Sequence, residues 1–128
     1  MISHDTCVAM LDTISHAIVF VDNGHVIRYL NQAAKKRYCE QRGYSDLIGK
    51  SLLDCHRPPS QTQIKEVYQR LLAGEEQVSL GVNQYNELTT VVAVRDEDRN
   101  LLGYYEWFEK VLAVDANALG GRATAGPP

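Results

Sequence analysis

The sequence predicts an α+β fold with one five-stranded antiparallel sheet that carries its helices on one face. Two β-rich runs flank the pair Asn23-Gly24, and such a pair is the strongest short-range signal for a hairpin. A segment with helical periodicity follows at residues 60–73, and three further strand-like runs come after it. A hairpin and a meander separated by helices are typical of an antiparallel sheet with helices on one face.

The chain begins with a predicted amphipathic helix over residues 5–15, for which Asp5 is the expected N-cap. One stripe of this helix is apolar and consists of Cys7, Val8, Leu11 and Ile14. A helix of this length is marginal in water by itself, so its stripe needs a partner. That partner is either the domain's own sheet or a second copy of the chain.

The segment after the hairpin has the composition of a second helix, QAAKKRYCEQR, which Asn31 is expected to cap and Gly43 to end. It contains the densest basic cluster of the chain, Lys35-Lys36-Arg37. We interpret this cluster as a solvated helix face, because a nucleic-acid interface needs a larger concentration of positive charge.

The longest predicted helix follows the pair Pro58-Pro59, which stops the preceding segment and prepares a new helix start. We place that start at Ser60 and the end at Gly74. The apolar positions have clear helical spacing and comprise Ile64, Val67, Tyr68, Leu71 and Leu72.

The last strand-like run, LLGYYEWFEKV, presents different residues on its two faces. Alternation places Tyr105 and Trp107 on one side and Tyr104, Glu106 and Phe108 on the other. We expect the Trp107 side to face the interior, which makes Glu106 a surface charge. In the opposite orientation Glu106 is a buried carboxylate that needs a partner such as Arg95 or a hydrogen bond from a ligand.

The composition restricts the class of protein further. The chain has 128 residues, 45% of them hydrophobic and 23% charged, and a net charge of -3, as expected for one water-soluble domain without a nucleic-acid partner. No apolar run approaches the length of a membrane helix, and three cysteines without a C-x-x-C pair favour a reducing, cytoplasmic location. Residues 113–128 contain almost no large apolar side chain and are expected to form a flexible tail.

Residues 18–111 resemble a PAS domain, a sensory module of bacterial and eukaryotic signalling proteins. The matching segments are IVFVDNGHVIRYLN, NQAA and GYSDLIGKSL, together with Gly103 near the start of the last strand. The resemblance implies a curved sheet whose inner face and flanking helices enclose a small-molecule pocket. It implies a PAS domain at residues 17–112 after an N-terminal helix at residues 1–16. It also implies a homodimer formed through the outer sheet face and that helix, with Val8, Leu11 and Ile14 in contact.

The resemblance also makes His56 the candidate ligand of a haem iron. Carbon-monoxide-responsive PAS regulators carry a histidine seven residues after a glycine and just before the long helix, and Gly49 and His56 have this spacing. Neutral imidazole is a good iron ligand. The methionine that is the second ligand in those regulators has no counterpart, which leaves Tyr68, Cys55 or water as sixth ligand. Otherwise His56 caps the helix or bonds a carbonyl of the connector.

The expected function is that of a non-enzymatic sensor that binds a small ligand and relays the change to a separate or downstream signalling effector. A ligand-free dimerisation module is the alternative. A small enzyme that uses Cys55 and His56 is disfavoured, because the side chains of adjacent residues diverge and no third orienting group is evident. The candidate ligand-contacting residues are His56, Cys55, Tyr68, Val67, Leu71, Val92, Tyr105 and Trp107.

Overall fold

A computed structural model describes residues 1–41 and 46–111 of the chain, without the side chains of residues 39–41 and 55. The predicted helix end at Gly43 and the predicted tail lie outside the described residues. The elements are α1 (His4–Asp12), β1 (Ala17–Asp22), β2 (Ile27–Leu30), α2 (Gln32–Lys35), a π-helical turn (Lys36–Gln41), a 3-10 turn (Leu53–Cys55), α3 (Pro58–Leu72), β3 (Gln77–Val82), β4 (Glu87–Arg95) and β5 (Leu101–Lys110).

The five strands form one antiparallel sheet in the order β2-β1-β5-β4-β3, so the predicted fold class is confirmed. The register between β1 and β5 determines which of their side chains share the inner face. Ala17 pairs with Phe108, and Val21 pairs with Tyr104. These side chains are buried in one core with Ala34 of α2 and three α3 residues, Ile64, Val67 and Leu71. The helices therefore cover the face of the sheet that carries Phe108 and Tyr104.

The N-terminal helix lies on the surface of the domain. Its N-cap is Ser3, whose hydroxyl oxygen accepts a hydrogen bond from the Thr6 amide at 3.1 Å, so the expected cap at Asp5 is wrong and Asp5 lies in the first turn. No residue of α1 is buried. The helix is tied to β2 by the Tyr29 hydroxyl, which donates to Asp12 Oδ1 at 2.5 Å.

Asn31 joins three segments of the chain at a fully buried position. Its side-chain oxygen accepts from the backbone amide of Ala34, which confirms the predicted cap of α2, and also from the amide of Ile18 in β1. Its amide nitrogen donates to the carbonyl oxygens of Leu11, Ile14 and His16. Every polar atom of this buried side chain is thus used, as burial of an amide requires.

Helix α3 begins two residues earlier than predicted. Pro58 occupies its first position and Arg57 its N-cap, because a proline lacks the N–H that would be unpaired there in any case. The helix ends as predicted at Gly74, which has a φ of 114°, in the left-handed region. Among the described residues, none of the helices combines the length and the hydrophobicity that spanning a bilayer would demand.

Candidate functional site

The inner face of β5 carries Tyr104, Glu106 and Phe108, and the expectation that Trp107 faces the interior is wrong. Glu106 is only 8% exposed, and its cross-strand neighbours are Val19 and Val91. Alternation along the strand was predicted correctly, but the choice of the buried face was not. Two aromatic residues and one carboxylate fill the inner side because the helices pack there.

A cavity of about 650 Å³ opens between the inner sheet face and the helical segments. We call it the central cavity and define it by its walls, which are the π-helical turn, the junction before α3, the first half of α3, the β3–β4 connection and the inner face of β4 and β5. Three of the charged or titratable side chains in its lining, Arg37, His56 and Glu106, come from three different elements. The others are Tyr38, Arg57 and Tyr85.

Arg37 is buried in the wall of the central cavity, whereas Lys35 and Lys36 are exposed. The interpretation of this basic cluster as a uniformly solvated face is therefore wrong for Arg37. Its Nη1 donates to the Glu87 carboxylate, and its guanidinium stacks on Phe108 with 4.1 Å from Cζ to the ring centroid. A helical signal could have identified this position, because Arg37 lies three residues after the buried Ala34.

Glu106 has no hydrogen bond to its carboxyl group from any described residue. Burial raises the pKa of this carboxyl above its ordinary value of 4.5, and the nearby His56 and Arg37 oppose the shift. Arg95, the partner considered from the sequence, is directed elsewhere: it donates to the Leu71 carbonyl at 2.6 Å. Among the described residues, the buried side-chain atoms without a hydrogen-bond partner are Arg37 Nε and Arg95 Nε. The carboxyl oxygens of Glu106 therefore reach the open space of the central cavity.

His56 is held in one tautomer by the backbone. Its Nδ1 lies 2.8 Å from the Leu52 carbonyl oxygen, and since a carbonyl can only accept, Nδ1 carries the proton. A hydrogen bond from His56 to a carbonyl of the connector was one of the roles considered from the sequence, and this bond is present. It leaves Nε2 as an acceptor that lacks a partner among the described residues. Within those residues, no group of three or more His, Cys, Asp or Glu is arranged to hold a metal ion.

Three more of the predicted ligand contacts, Val67, Tyr68 and Leu71, lie next to the central cavity. With Tyr104 and Glu106 they surround a small apolar space under α3. Val67 and Leu71 are core residues with 4% and 0% exposure. The Tyr68 hydroxyl donates to Asn23 Oδ1 at 2.9 Å and so closes the site toward the hairpin.

The remaining predicted contacts do not join His56. Val92, Tyr105 and Trp107 line a shallow depression on the opposite face of the sheet, so the expectation that they contact the same ligand is wrong. The reason is the strand alternation that places Glu106 inside. The side chain of Cys55 lies outside the described part of the chain.

The protein thus combines a five-stranded antiparallel sheet, helices over one face of that sheet and a cavity between the two layers. Residues 8–111 match the family model of the PAS domain. The chain therefore belongs to the PAS domain family. No curated protein sequence matches it.

Solved structures agree with this assignment at the level of the fold. A PAS domain from Colwellia psychrerythraea is 17% identical, with 84% of this chain and 95% of that one covered and a TM-score of 0.63. A sensory box sensor histidine kinase from Vibrio cholerae is 21% identical, with 84% and 87% covered and a TM-score of 0.55. The Aer2 receptor from Vibrio cholerae, a dual PAS-heme oxygen sensor, is 18% identical, with 76% and 95% covered and a TM-score of 0.55.

Proposed function

We propose that this PAS domain is a non-enzymatic sensor that binds a small ligand in the central cavity. The observation that carries the proposal is the convergence of Arg37, His56 and Glu106 on one space of about 650 Å³. Ligand pockets typically have about 300–1,000 Å³ and combine apolar walls with a few placed polar groups. Ile64, Leu80, Val82 and Phe108 supply apolar contacts here, and the other side chains of the lining are mostly polar.

Burial of these polar groups supports a binding role over a purely structural one. A core built for stability alone would place an apolar residue at Glu106, because a carboxyl group without a donor destabilises the folded state. A ligand that hydrogen-bonds Glu106 and His56 Nε2 would supply the missing partners.

The proposal is tested by filling the central cavity. Ser60 lines the cavity in the first turn of α3, whereas Thr62 is exposed on the same helix and does not line it. Native mass spectrometry of the purified protein and thermal shifts with a metabolite library identify bound compounds. Ser60→Trp should abolish their binding, and the control Thr62→Trp should retain it. Absence of any bound or stabilising compound would instead support the alternative, a ligand-free interaction module.

Haem is a second candidate ligand, favoured by the geometry of His56. The hydrogen bond from Nδ1 to Leu52 fixes the tautomer whose Nε2 is available to a metal. His56 would hold the iron, and the iron would supply a site for a diatomic gas. The side chains on the described walls are more often polar than apolar, which suits a smaller polar molecule better than a porphyrin.

Absorption spectroscopy separates the two ligands. A haem-loaded protein, purified after expression with a haem precursor, shows a Soret band that His56→Ala removes without unfolding the domain. The matched control is His16→Ala, because His16 packs on Trp107 at the outer face, with 4.8 Å between the ring centroids. A colourless protein, or a Soret band that survives His56→Ala, rules out His56 as the iron ligand.

We further infer that two copies of the chain associate through α1 and the outer sheet face, and that this dimer relays ligand binding to a separate or downstream effector. The apolar side chains in and just after α1 support the inference. Leu11 of α1 is exposed, while Val8 of α1 and Ile14, which lies two residues beyond the helix, are half-buried. The outer face contributes Tyr105 and Trp107, which are also half-buried. Covering such a surface would remove apolar area from water.

A further inference from the structure

The polar side chains that line the central cavity differ in whether another residue of the protein gives them a hydrogen bond or an opposite charge. Arg37 is neutralised by Glu87, and the His56 Nδ1–H is bonded to Leu52. Glu106 has no hydrogen-bond donor among the described residues and is 8% exposed. Two acceptors thus line the cavity without a donor among the described residues, the carboxyl group of Glu106 and Nε2 of the neutral His56 ring. One buried donor of the lining, Arg37 Nε, has no acceptor among them.

The surroundings of Glu106 contribute little positive charge of their own. Val19 of β1 and Val91 of β4 flank it across the sheet, and Tyr104 and Phe108 are its neighbours on β5. The Tyr104 hydroxyl is 2.7 Å from His25 Nδ1 and so has a partner away from Glu106. Arg37 of the π-helical turn contributes a permanent positive charge that acts on Glu106. His56 adds a second one only when its ring is protonated, and Nε2 is then a donor rather than an acceptor.

We propose that the ligand carries a basic nitrogen, as an amine or amidine does, whose N–H groups donate to Glu106 and to His56 Nε2. This inference rests on the proposed function, because it names the chemical class bound at the same site. A cation placed here would give the buried carboxylate its opposite charge and its donors together. An anion would face Glu106, and Arg37 is already paired with Glu87. The other arginine of the lining, Arg57, is exposed to solvent.

The charge preference is tested with two series of small molecules. Within each series the cationic, neutral and anionic members have nearly the same shape. The probes are benzamidine, benzamide and benzoate, and, as a flexible series, butylamine, butanol and butyrate. Binding is measured at neutral pH by calorimetry and by the shift in Tm. We expect the cation of at least one series to bind at least tenfold more tightly than its neutral and anionic counterparts. We expect Glu106→Gln to weaken the binding of that cation at least tenfold and to remove the preference.

The control variant is Glu109→Gln, which removes a carboxylate on the outer face of the same strand, close to His16. It should leave cation binding unchanged. Circular dichroism verifies that both variants are folded. If only neutral or anionic probes bind, and Ser60→Trp abolishes their binding, this inference is overturned and the proposed function stands. Cation binding that survives Glu106→Gln overturns the inference too. If no probe of either series binds, the inference fails, and the metabolite library alone then decides the proposed function.

Discussion

Glu106 is a single residue whose ionisation should be visible in the stability of the ligand-free domain. Its pKa is raised above 4.5, mainly by burial, so the folded state retains a proton that the unfolded chain has already lost. The stability from this proton is complete below pH 4.5 and disappears as the pH rises through the folded-state pKa. For each unit by which the pKa of such a carboxyl group differs between the folded and the unfolded chain, the free energy of unfolding changes by about 1.4 kcal/mol.

Glu106→Gln is therefore expected to increase the free energy of unfolding at pH 8 relative to the native sequence, with a difference that shrinks toward pH 4. Urea unfolding monitored by circular dichroism over this pH range measures the effect. The control Glu109→Gln should change the free energy of unfolding by less than about 0.5 kcal/mol throughout, as is usual for surface substitutions. A difference for Glu106→Gln that is the same at both ends of the range would contradict the assignment of a raised pKa.

Gly103 is required by the close contact between β5 and β1. It has a φ of 152°, and a Cβ added there would lie 2.2 Å from the Val21 carbonyl oxygen and 2.9 Å from Asp22 Cα. Both contacts are with backbone, which cannot move aside without opening the strand pair. Gly103→Ala is expected to cost roughly 3 kcal/mol or to prevent folding, because overpacking adds to conformational strain.

A second strand glycine provides the control for Gly103. Gly81 has a φ of 82°, but a Cβ there would meet nothing within 4 Å, so Gly81→Ala should cost only about 1 kcal/mol for the left-handed backbone. Urea midpoints of both variants give the comparison. Equal losses would show that the contact with Val21 is not the cause.

At the scale of elements, the junction between the 3-10 turn and α3 is held by Gln61. Its amide nitrogen donates to the carbonyl oxygens of Leu53 and His56, each at 2.9 Å. Because Arg57 makes no capping bond with its side chain, Gln61 is the side chain of α3 that fixes the backbone before the helix. The position of the His56 ring in the central cavity therefore depends on this residue.

Gln61→Ala is expected to lower the free energy of unfolding by about 1–2 kcal/mol, since two hydrogen bonds are lost. Amide exchange around His56 should accelerate at the same time, and compounds found to bind the cavity should bind more weakly. The control is Gln69→Ala, an exposed glutamine two turns later in α3. If both variants behaved alike, Gln61 would have no special part in positioning His56.

The sequence predicted the elements better than the faces they bury. Asn23-Gly24 indicated the hairpin because few other residues occupy tight turns, although the left-handed φ of 62° falls on His25. Asn31 was identified as a cap because this role is local. The inner face of β5 could not be predicted, since alternation defines two faces and only the packing of helices selects one.

At the scale of the whole molecule, the site residues with a local sequence signal were predicted, and the contacts between distant segments were not. His56 was singled out because its spacing from Gly49 is a local sequence pattern of the PAS resemblance, and its side chain lines the central cavity. Arg37 and its pairing with Glu87 were missed, because the partners are separated by 50 positions in the chain. Glu106 was considered in both orientations, and the structure selects the buried one. Contacts between distant segments are thus the part of this site that one sequence does not reveal.

The proposed dimer gives a prediction for the molecule as an assembly. Leu11 lies on the apolar stripe of α1, whereas Ala9 lies about 160° around the helix from it, given about 100° per residue. Leu11→Asp should lower the mass measured by light scattering toward that of one chain, because a charge would be desolvated in the seam. Ala9→Asp adds the same charge to the opposite side of α1 and should keep the mass of the native protein. Far-ultraviolet circular dichroism confirms that both variants remain folded. An unchanged mass for Leu11→Asp would exclude α1 as the interface and leave the outer sheet face with Trp107 to be tested by Trp107→Glu.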